Sequence, residues 1–176
     1  LIGYYLGRPA LGYYSVGDNL AVMPTREITG PIEKTFFPAF THIANDKERL
    51  KTAYRAAQTL VSTIALPAGI GCALIAHPLV LLSMEAKWLP AVDVIQVLAC
   101  IFALHSLVSA VFPLAMAKGE TKLLFHRDLL NLAIRVTFVV LGMYLGGLLG
   151  IIYGRAISGV IGVIINMHLV RRLVGI

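Results

Sequence analysis

The longest uncharged segment of this chain, residues 56–84, runs for 29 residues without one formally charged side chain. A helix of about 20 apolar residues crosses the hydrocarbon core of a bilayer, so this segment is more than long enough to span one. Uncharged segments of 24 and 19 residues follow at residues 94–117 and 136–154. Charged residues make up 14% of the 176, against roughly a quarter in soluble domains. The pattern predicts an all-α, polytopic membrane protein.

The alternation of apolar and polar segments predicts about five complete transmembrane helices in a single bundle over residues 1–176. The chain begins within an apolar segment and without an initiator methionine. We therefore expect the first residues to be the end of a further helix, which stops near Arg8 and Pro9, and an N-terminal part to be missing. The five predicted spans cover residues 14–41, 51–84, 91–117, 123–145 and 148–170.

Basic residues are distributed unevenly among the predicted loops. In chain order, the four loops and the C-terminus hold four, one, three, zero and two lysines or arginines. Cytoplasmic loops of membrane proteins carry an excess of these residues. The alternation predicts an up-and-down bundle with a polar linker at residues 42–55, residues 117–127 and the C-terminus in the cytoplasm. Residues 85–90 and a tight uncharged turn at residues 146–150 are expected on the opposite side.

Two stripes of small residues repeat at intervals of four and so lie on single helix faces. Small residues let helix backbones approach closely in a membrane, and both stripes predict helix contacts. The stripes are Ala65, Gly69 and Ala73, and Gly154, Ser158 and Gly162.

Charged residues within predicted spans are candidate functional groups, because an ionisable side chain at bilayer depth costs several kcal/mol unless it faces protein, water or a partner. In the span of residues 14–41, Arg26 and Glu33 share one helix face, and Asp18 lies two turns earlier. One side of this helix is expected to line a polar cavity. In the alternative interpretation these charges pair as structural salt bridges, and Lys34 snorkels to the interface.

A second polar face is formed by Arg127, Asn131 and Arg135, which are spaced by four residues. Arg135 lies near mid-membrane, too deep to reach water along its own helix, and we expect it to line the cavity. Arg127 is close enough to the end of its span to snorkel. Snorkelling is also the expectation for Arg155, which lies a turn or two inside the last span.

Sequence motifs give no indication of catalysis. The chain lacks G-x-S-x-G, H-E-x-x-H and Walker motifs, and its five histidines are scattered. Cys72 and Cys100 lie within predicted spans, without neighbours at metal-ligand spacing. We expect no enzymatic activity, no cofactor and no metal site. The net charge of +6 would suggest nucleic acid in a soluble protein, but here the basic residues follow the loops, so no nucleic-acid partner is expected.

A series of short motifs in this chain resembles the second lobe of bacterial lipid-linked oligosaccharide flippases of the Wzx type. These flippases are the polysaccharide biosynthesis branch of the multidrug/oligosaccharidyl-lipid/polysaccharide exporter superfamily. No single motif is specific, but the series covers the chain in order. The motifs are Gly7-Arg8-Pro9-Ala10-Leu11-Gly12-Tyr13-Tyr14, Phe37-Pro38-Ala39-Phe40, Asp46-Lys47-Glu48-Arg49-Leu50, Leu66-Pro67 and Lys87-Trp88-Leu89-Pro90-Ala91.

The resemblance implies a two-lobe transporter of the bacterial inner membrane, in which this chain is most of the second lobe and the first lobe is missing. It implies flipping of undecaprenyl-pyrophosphate-linked oligosaccharides, for O-antigen, capsule or exopolysaccharide, by alternating access. The implied partners are the lipid-linked oligosaccharide, membrane lipids, the missing N-terminal lobe, a glycan polymerase and export machinery. The candidate cavity residues are Arg26, Arg135, Asn131, Glu33 and Asp18.

Three other interpretations stay open at this point. A multidrug cation exporter of the same superfamily would present acidic and aromatic cavity walls, whereas Arg26 and Arg135 favour an anion. A membrane-embedded glycan polymerase or ligase usually needs large extracytoplasmic loops, and the predicted outer loops are short. The chain could also be a truncated product without activity of its own.

Overall fold

The computed structural model describes Tyr5 and residues 7–174, without the side chains of Glu33 and Val174. All regular elements in this part of the chain are helical, which confirms the predicted all-α class. The helices are α1 (Gly7–His42), α2 (Lys47–Leu74), α3 (Ala76–Ser83), α4 (Ala91–Ser106), α5 (Val111–Ala117) and α6 (Thr121–Val174), with a 3₁₀ turn at Ala86–Trp88.

Three helical segments are long and apolar enough to cross a membrane: Lys47–Leu74, Ala91–Ala117 and Thr121–Leu173. The last is interrupted at Gly146 and Gly147, whose backbone angles are not helical. The φ of Gly147 is 58°, in the left-handed region that glycine adopts without steric cost. The arms on either side, residues 121–145 and 148–174, each exceed the roughly 20 residues that one crossing requires. The predicted turn between the last two spans is confirmed.

Helix α1 differs from the predicted span of residues 14–41, because its charged residues keep it out of the described helices that are apolar enough to cross a membrane. It also differs from the prediction at its start. It is 36 residues long and begins at Gly7, so Arg8 and Pro9 lie in its first turn and do not end an earlier helix. Proline is tolerated there because the first N–H groups of a helix have no intrahelical acceptor. Three further prolines lie inside α1 without ending it. The rest of the predicted end of a preceding helix, residues 1–4 and 6, lies outside the described residues.

Two predicted spans are each broken into two helices shortly before a proline. The first break lies at Ile75, three residues before Pro78, and the second lies at residues 107–110, before Pro113. Proline lacks an N–H, and its ring clashes with the carbonyl four residues earlier, which explains both positions.

Gln58 of α2 stabilises the break between α4 and α5. Its Nε2 donates to the carbonyl oxygen of Ser106 at 2.6 Å, and its Oε1 accepts from the backbone N–H of Ala110 at 3.2 Å. Unpaired backbone groups cost several kcal/mol each within a bilayer. Gln58 therefore supplies an acceptor for the Ala110 N–H and a further donor for the Ser106 carbonyl, which also accepts from the Ser109 N–H at 3.4 Å.

The polar linker is shorter than predicted. Helix α2 begins at Lys47, so only residues 43–46 connect it to α1. Asp46 caps α2, because its Oδ1 accepts from the backbone N–H of Arg49 at 3.1 Å. Glu48 in the first turn also complements the positive end of the helix dipole. The polar residues that suggested a linker are those that start this helix.

Two apolar clusters lie at the two ends of the bundle. The first includes Phe40, Leu50, Leu114, Leu124 and Leu173, and the second includes Val80, Ile95, Leu98 and Ile152. At the first end, Lys118 Nζ donates to the carbonyl oxygen of Leu173. The α1–α2 loop, the turn before α6 and the end of α6 therefore share one end, as an up-and-down bundle requires. That this end faces the cytoplasm stays a prediction.

Both small-residue stripes lie where helices approach closely, which confirms the contacts predicted from them. A Cβ added at Gly69 would lie 2.8 Å from the Cβ of Ala103, so α2 and α4 pack without space for a side chain. A Cβ added at Gly154 would lie 2.2 Å from the carbonyl oxygen of Phe138. The two arms of α6 therefore touch through their backbones.

Candidate functional site

A cavity of about 580 Å³ lies between α1, the break between α4 and α5, and both arms of α6. This first cavity brings together three of the predicted site residues, Arg26, Asn131 and Arg135. Its other polar lining residues are Thr25, Thr29, His105, Ser106, Ser109, Arg127, Asp128 and Asn166. Among the side chains that the structure describes, three guanidinium groups thus face one carboxylate.

Arg26 lies at the mouth of the first cavity. Its neighbour Thr25 is buried, and the Thr25 hydroxyl donates to the carbonyl oxygen of Val22, which orients this turn of α1 toward the bundle. The Arg26 side chain is 60% exposed and approaches Glu27 at 3.4 Å. An exposed pair of this kind contributes about 1 kcal/mol or less. The salt-bridge interpretation of α1 therefore explains little at Arg26, whose guanidinium remains accessible.

Arg127 is held inside the first cavity, so the expectation that it snorkels is wrong. Only 13% of its side chain is exposed. Its Nη2 donates to Asp128 Oδ1 at 2.7 Å, and its Nη1 donates to Asn166 Oδ1 at 3.0 Å. These contacts turn the guanidinium away from the helix end and toward the second arm of α6.

Asn166 was missed by the sequence analysis. It is buried, and its Nδ2 donates to the carbonyl oxygen of Gly162 at 2.8 Å. It lies four residues after Gly162, on the face that carries the small-residue stripe. The continuation of that stripe by an asparagine was the signal that could have identified it.

Gly162 provides the space in which two polar side chains of the cavity meet. A Cβ added there would lie 3.4 Å from Asn131 Oδ1 and 3.6 Å from His105 Cε1. The absence of a side chain on the second arm of α6 thus lets Asn131, from the first arm, and His105, from α4, reach the same point.

Arg135 also lines a second cavity of about 320 Å³, beside the first. The polar residues of this second cavity are Tyr14, Asp18, Arg135 and Arg155. Arg135 interacts electrostatically with Tyr14, Asp18 and Arg155. The predicted site residue Asp18 therefore lines the second cavity and not the first, and Arg135 lines both. Glu33 has no described side chain, and the prediction for it lies outside the described structure.

Arg155 points into the bundle, so its predicted snorkelling is wrong. Its guanidinium carbon lies 5.7 Å from the centroid of the Phe102 ring, within the range of a cation–π contact. The preceding residue, Gly154, is pressed against the backbone of the first arm of α6. This close contact fixes the rotation of the second arm, which directs Arg155 toward α4 and the second cavity. Position along the helix alone does not reveal that rotation.

Chemically, the first cavity suits an anion. Arginine presents planar donors that form bidentate hydrogen bonds to phosphate or carboxylate oxygens, and it stays charged at any physiological pH. Asp128 pairs with Arg127. Among the described side chains, Arg26 has only the exposed Glu27 within 4 Å, and Arg135 has no carboxylate within that distance. Across that same part of the chain, histidines, cysteines and acidic residues form no group of three that could hold a metal ion.

The sequence of this chain is similar to proteins of polysaccharide biosynthesis. The sequence model of the polysaccharide biosynthesis protein family matches residues 1–93, just over half of the chain. No solved structure matches the chain significantly.

Three curated proteins resemble nearly the whole chain. Lipopolysaccharide biosynthesis protein WzxC of Escherichia coli (strain K12) is 27% identical over 161 residues, which is 92% of this chain and 33% of that protein. An uncharacterized membrane protein in the cps region of Klebsiella pneumoniae is 28% identical over 166 residues, 94% of this chain and 34% of that protein. Teichuronic acid biosynthesis protein TuaB of Bacillus subtilis (strain 168) is 24% identical over 174 residues, 99% of this chain and 36% of that protein. The chain thus spans about a third of the length of these relatives.

Proposed function

Since this chain belongs to the polysaccharide biosynthesis protein family, we propose that it forms most of the second lobe of a flippase for lipid-linked oligosaccharides. In this proposal the full protein moves undecaprenyl-pyrophosphate-linked repeat units across the bacterial inner membrane by alternating access of two lobes. The names of the relatives, which refer to lipopolysaccharide and teichuronic acid biosynthesis, support a polysaccharide cargo.

The observation that supports this proposal most is the charge of the first cavity. Arg26, Arg127 and Arg135 come from two helices that are far apart in sequence, yet all three line one space, in which Asp128 is the one carboxylate among the described side chains. A pyrophosphate that crosses a membrane needs charge compensation on its path, because an unpaired charge in low dielectric is very costly. Arginines supply that compensation with geometry matched to phosphate.

The size of the cavity fits part of such a cargo. A volume of about 580 Å³ accommodates a headgroup of a few rings, the range of small-molecule sites. Threonine, serine and asparagine side chains complete the wall, and these can exchange hydrogen bonds with sugar hydroxyls. We propose that the pyrophosphate and the first sugars occupy this lobe, while the other lobe completes the cavity.

A multidrug cation exporter is the main rival, and the sign of the cavity argues against it. An organic cation would meet three guanidinium groups and one engaged carboxylate, and like charges at close range are strongly unfavourable. A membrane-embedded polymerase or ligase is disfavoured by the short connections at the second end of the bundle, residues 84–90 and the Gly146–Gly147 turn. These offer no large surface for a glycan acceptor.

Reconstitution of the full-length protein tests the proposal. Liposomes containing a fluorescent undecaprenyl-pyrophosphate oligosaccharide are treated with a membrane-impermeant glycosidase, and the protected fraction is measured over time. We expect the protein to expose inner-leaflet lipid to the enzyme, and a lipophilic cationic dye not to be transported. Dye transport without lipid transfer would instead support the cation exporter.

A further inference from the structure

The second cavity contains a charge arrangement that the proposed flipping role does not by itself require. Arg135 and Arg155 both line it, together with Asp18 and Tyr14. Both arginines interact electrostatically with Tyr14, and Arg135 also interacts with Asp18. Two cations thus share a small space with one carboxylate, so the described lining has room for one more negative charge.

Asp18 is only partly satisfied in this arrangement. Its Oδ1 is buried and has no hydrogen-bond partner, and no ion pair within 4 Å involves it among the described side chains. A buried carboxylate oxygen without a partner is costly, and the guanidinium that interacts electrostatically with Asp18 is that of Arg135. Gly17 fixes the backbone beside it, because a Cβ there would lie 2.6 Å from Val94. Asp18 is therefore a carboxyl group on a closely packed turn of α1, and it lines the same cavity as the two arginines.

Arg155 is positioned to act with Arg135. The Phe102 ring holds its guanidinium at 5.7 Å, and Phe102 also lines the first cavity. Arg135 lines both cavities. A path of cationic groups therefore continues from the first cavity into the second through Arg135, and Arg155 lies at its far side.

We propose that Arg155 is a second ligand for the anionic headgroup and that Asp18 competes with the headgroup for Arg135. The inference rests on the proposed function, since it names further residues of the same anion path. Arginine pairs with phosphate strongly in a desolvated site, and a cavity that only attracted the pyrophosphate would retain it. A resident carboxylate lowers the cost of release, because the arginine exchanges one anion for another.

Binding and transport by the full-length protein in nanodiscs and liposomes test this inference. The binding probe is farnesyl pyrophosphate, with farnesol as the uncharged control ligand. We expect Arg155→Gln to weaken binding of the pyrophosphate about tenfold and to leave farnesol binding unchanged. We expect Asp18→Asn to tighten pyrophosphate binding severalfold and at the same time to slow flipping. Tighter binding with slower transport is a result that a merely structural role of Asp18 would not give.

Matched controls separate these effects from a general change of charge. Asp93→Asn and Arg171→Gln change exposed residues outside both cavities, and they should leave binding and flipping unchanged. If Asp18→Asn does not accumulate, Asp18→Glu and Arg155→Lys serve instead: the glutamate should keep release near the wild-type rate, and the lysine should bind more weakly than arginine.

The outcomes distinguish the inference from the proposed function. Unmodified protein that binds farnesyl pyrophosphate no better than farnesol would overturn both. Selective binding by unmodified protein, together with no change in Asp18→Asn or Arg155→Gln, would overturn the inference alone. Weaker binding in Asp18→Asn would also contradict it, because a competitor's removal cannot lower affinity for the ligand.

Discussion

The interface between α2 and α4 and the space between α1 and α6 show two ways in which helices of this bundle meet. At the first, Ala65 is fully buried, and Gly69 leaves no room for a Cβ against Ala103. At the second, arginine and asparagine side chains extend between the helices, and a cavity of about 580 Å³ remains.

The difference shows how side-chain size and charge decide whether a membrane bundle closes. Small residues let backbones touch, and helix association in lipid depends on such packing because lipid tails are as apolar as the side chains. Long charged side chains hold helices apart and require water, a counter-charge or a ligand in the gap. The closed interface therefore serves as a rigid support, and the open one is available to a ligand.

The largest effect is expected from removing a charge in the first cavity, between α1 and α6. In the full-length protein, Arg135→Ala should lower surface polysaccharide in a complemented deletion strain by roughly thirtyfold or more. The variant loses the proposed pair between Arg135 and the pyrophosphate, and loss of one partner of a buried charge pair costs about 2 kcal/mol or more. Arg135→Lys should restore export only in part, because lysine lacks the planar fork.

Protein level distinguishes the functional role of Arg135 from a structural one. Arg171→Ala, an exposed arginine outside both cavities, is the matched control and should export normally. Normal export by Arg135→Ala at normal protein level would remove Arg135 from the anion path. Loss of the protein itself would favour a structural role.

A smaller effect is expected from overfilling the closed side. Gly69→Val places methyl groups against Ala103 and should destabilise the bundle by roughly 1–3 kcal/mol, the usual cost of overpacking. Gly71→Val is the matched control on the same helix, since no atom lies within 4 Å of a Cβ added there. Thermal unfolding of purified protein measures both. Equal unfolding temperatures for the two variants would show that α2 and α4 are not in close contact.

Much of this comparison could be predicted from the sequence, because it depends on local composition. The stripe through Gly69 indicated the closed interface, and the spacing of Arg127, Asn131 and Arg135 indicated a polar face. Each of these patterns lies on one helix face, so it can be recognised without knowing which other helices pack against that face.

What could not be predicted depends on contacts between distant segments. Arg127 and Arg155 lie near helix ends, where snorkelling is the ordinary expectation. Their inward orientation depends on Asn166 in one case and on Phe102 in the other, 39 residues and about 50 residues away in sequence. The helix breaks at Ile75 and at residues 107–110 were also missed, since prolines within membrane helices do not always interrupt them, as α1 shows.

The smallest expected effect concerns the contact between α2 and the break between α4 and α5, which lies between the two regions. Gln58 comes from the closed side and bonds to Ser106 and Ala110, next to the cavity wall. Gln58→Leu should destabilise the bundle by about 1 kcal/mol, because the Ser106 carbonyl keeps its bond from the Ser109 N–H, and net hydrogen-bond contributions of that size are typical even in membranes. Gln96→Leu, at an exposed position of α4, is the control. An unfolding temperature in Gln58→Leu that matches the control would mean that the break does not depend on this side chain.

The claim that the open region is a water-accessible cavity for anions can be measured directly with charged thiol reagents. In full-length protein with every native cysteine replaced by alanine, Cys72 and Cys100 included, Asn131→Cys places one thiol in the wall of the first cavity. After correction for reactivity with free cysteine, we predict about tenfold faster modification by a negatively charged sulfonate reagent than by a positively charged trimethylammonium reagent of similar size. Faster modification by the cationic reagent, or no modification by either, would contradict the assignment of this region as an anion path.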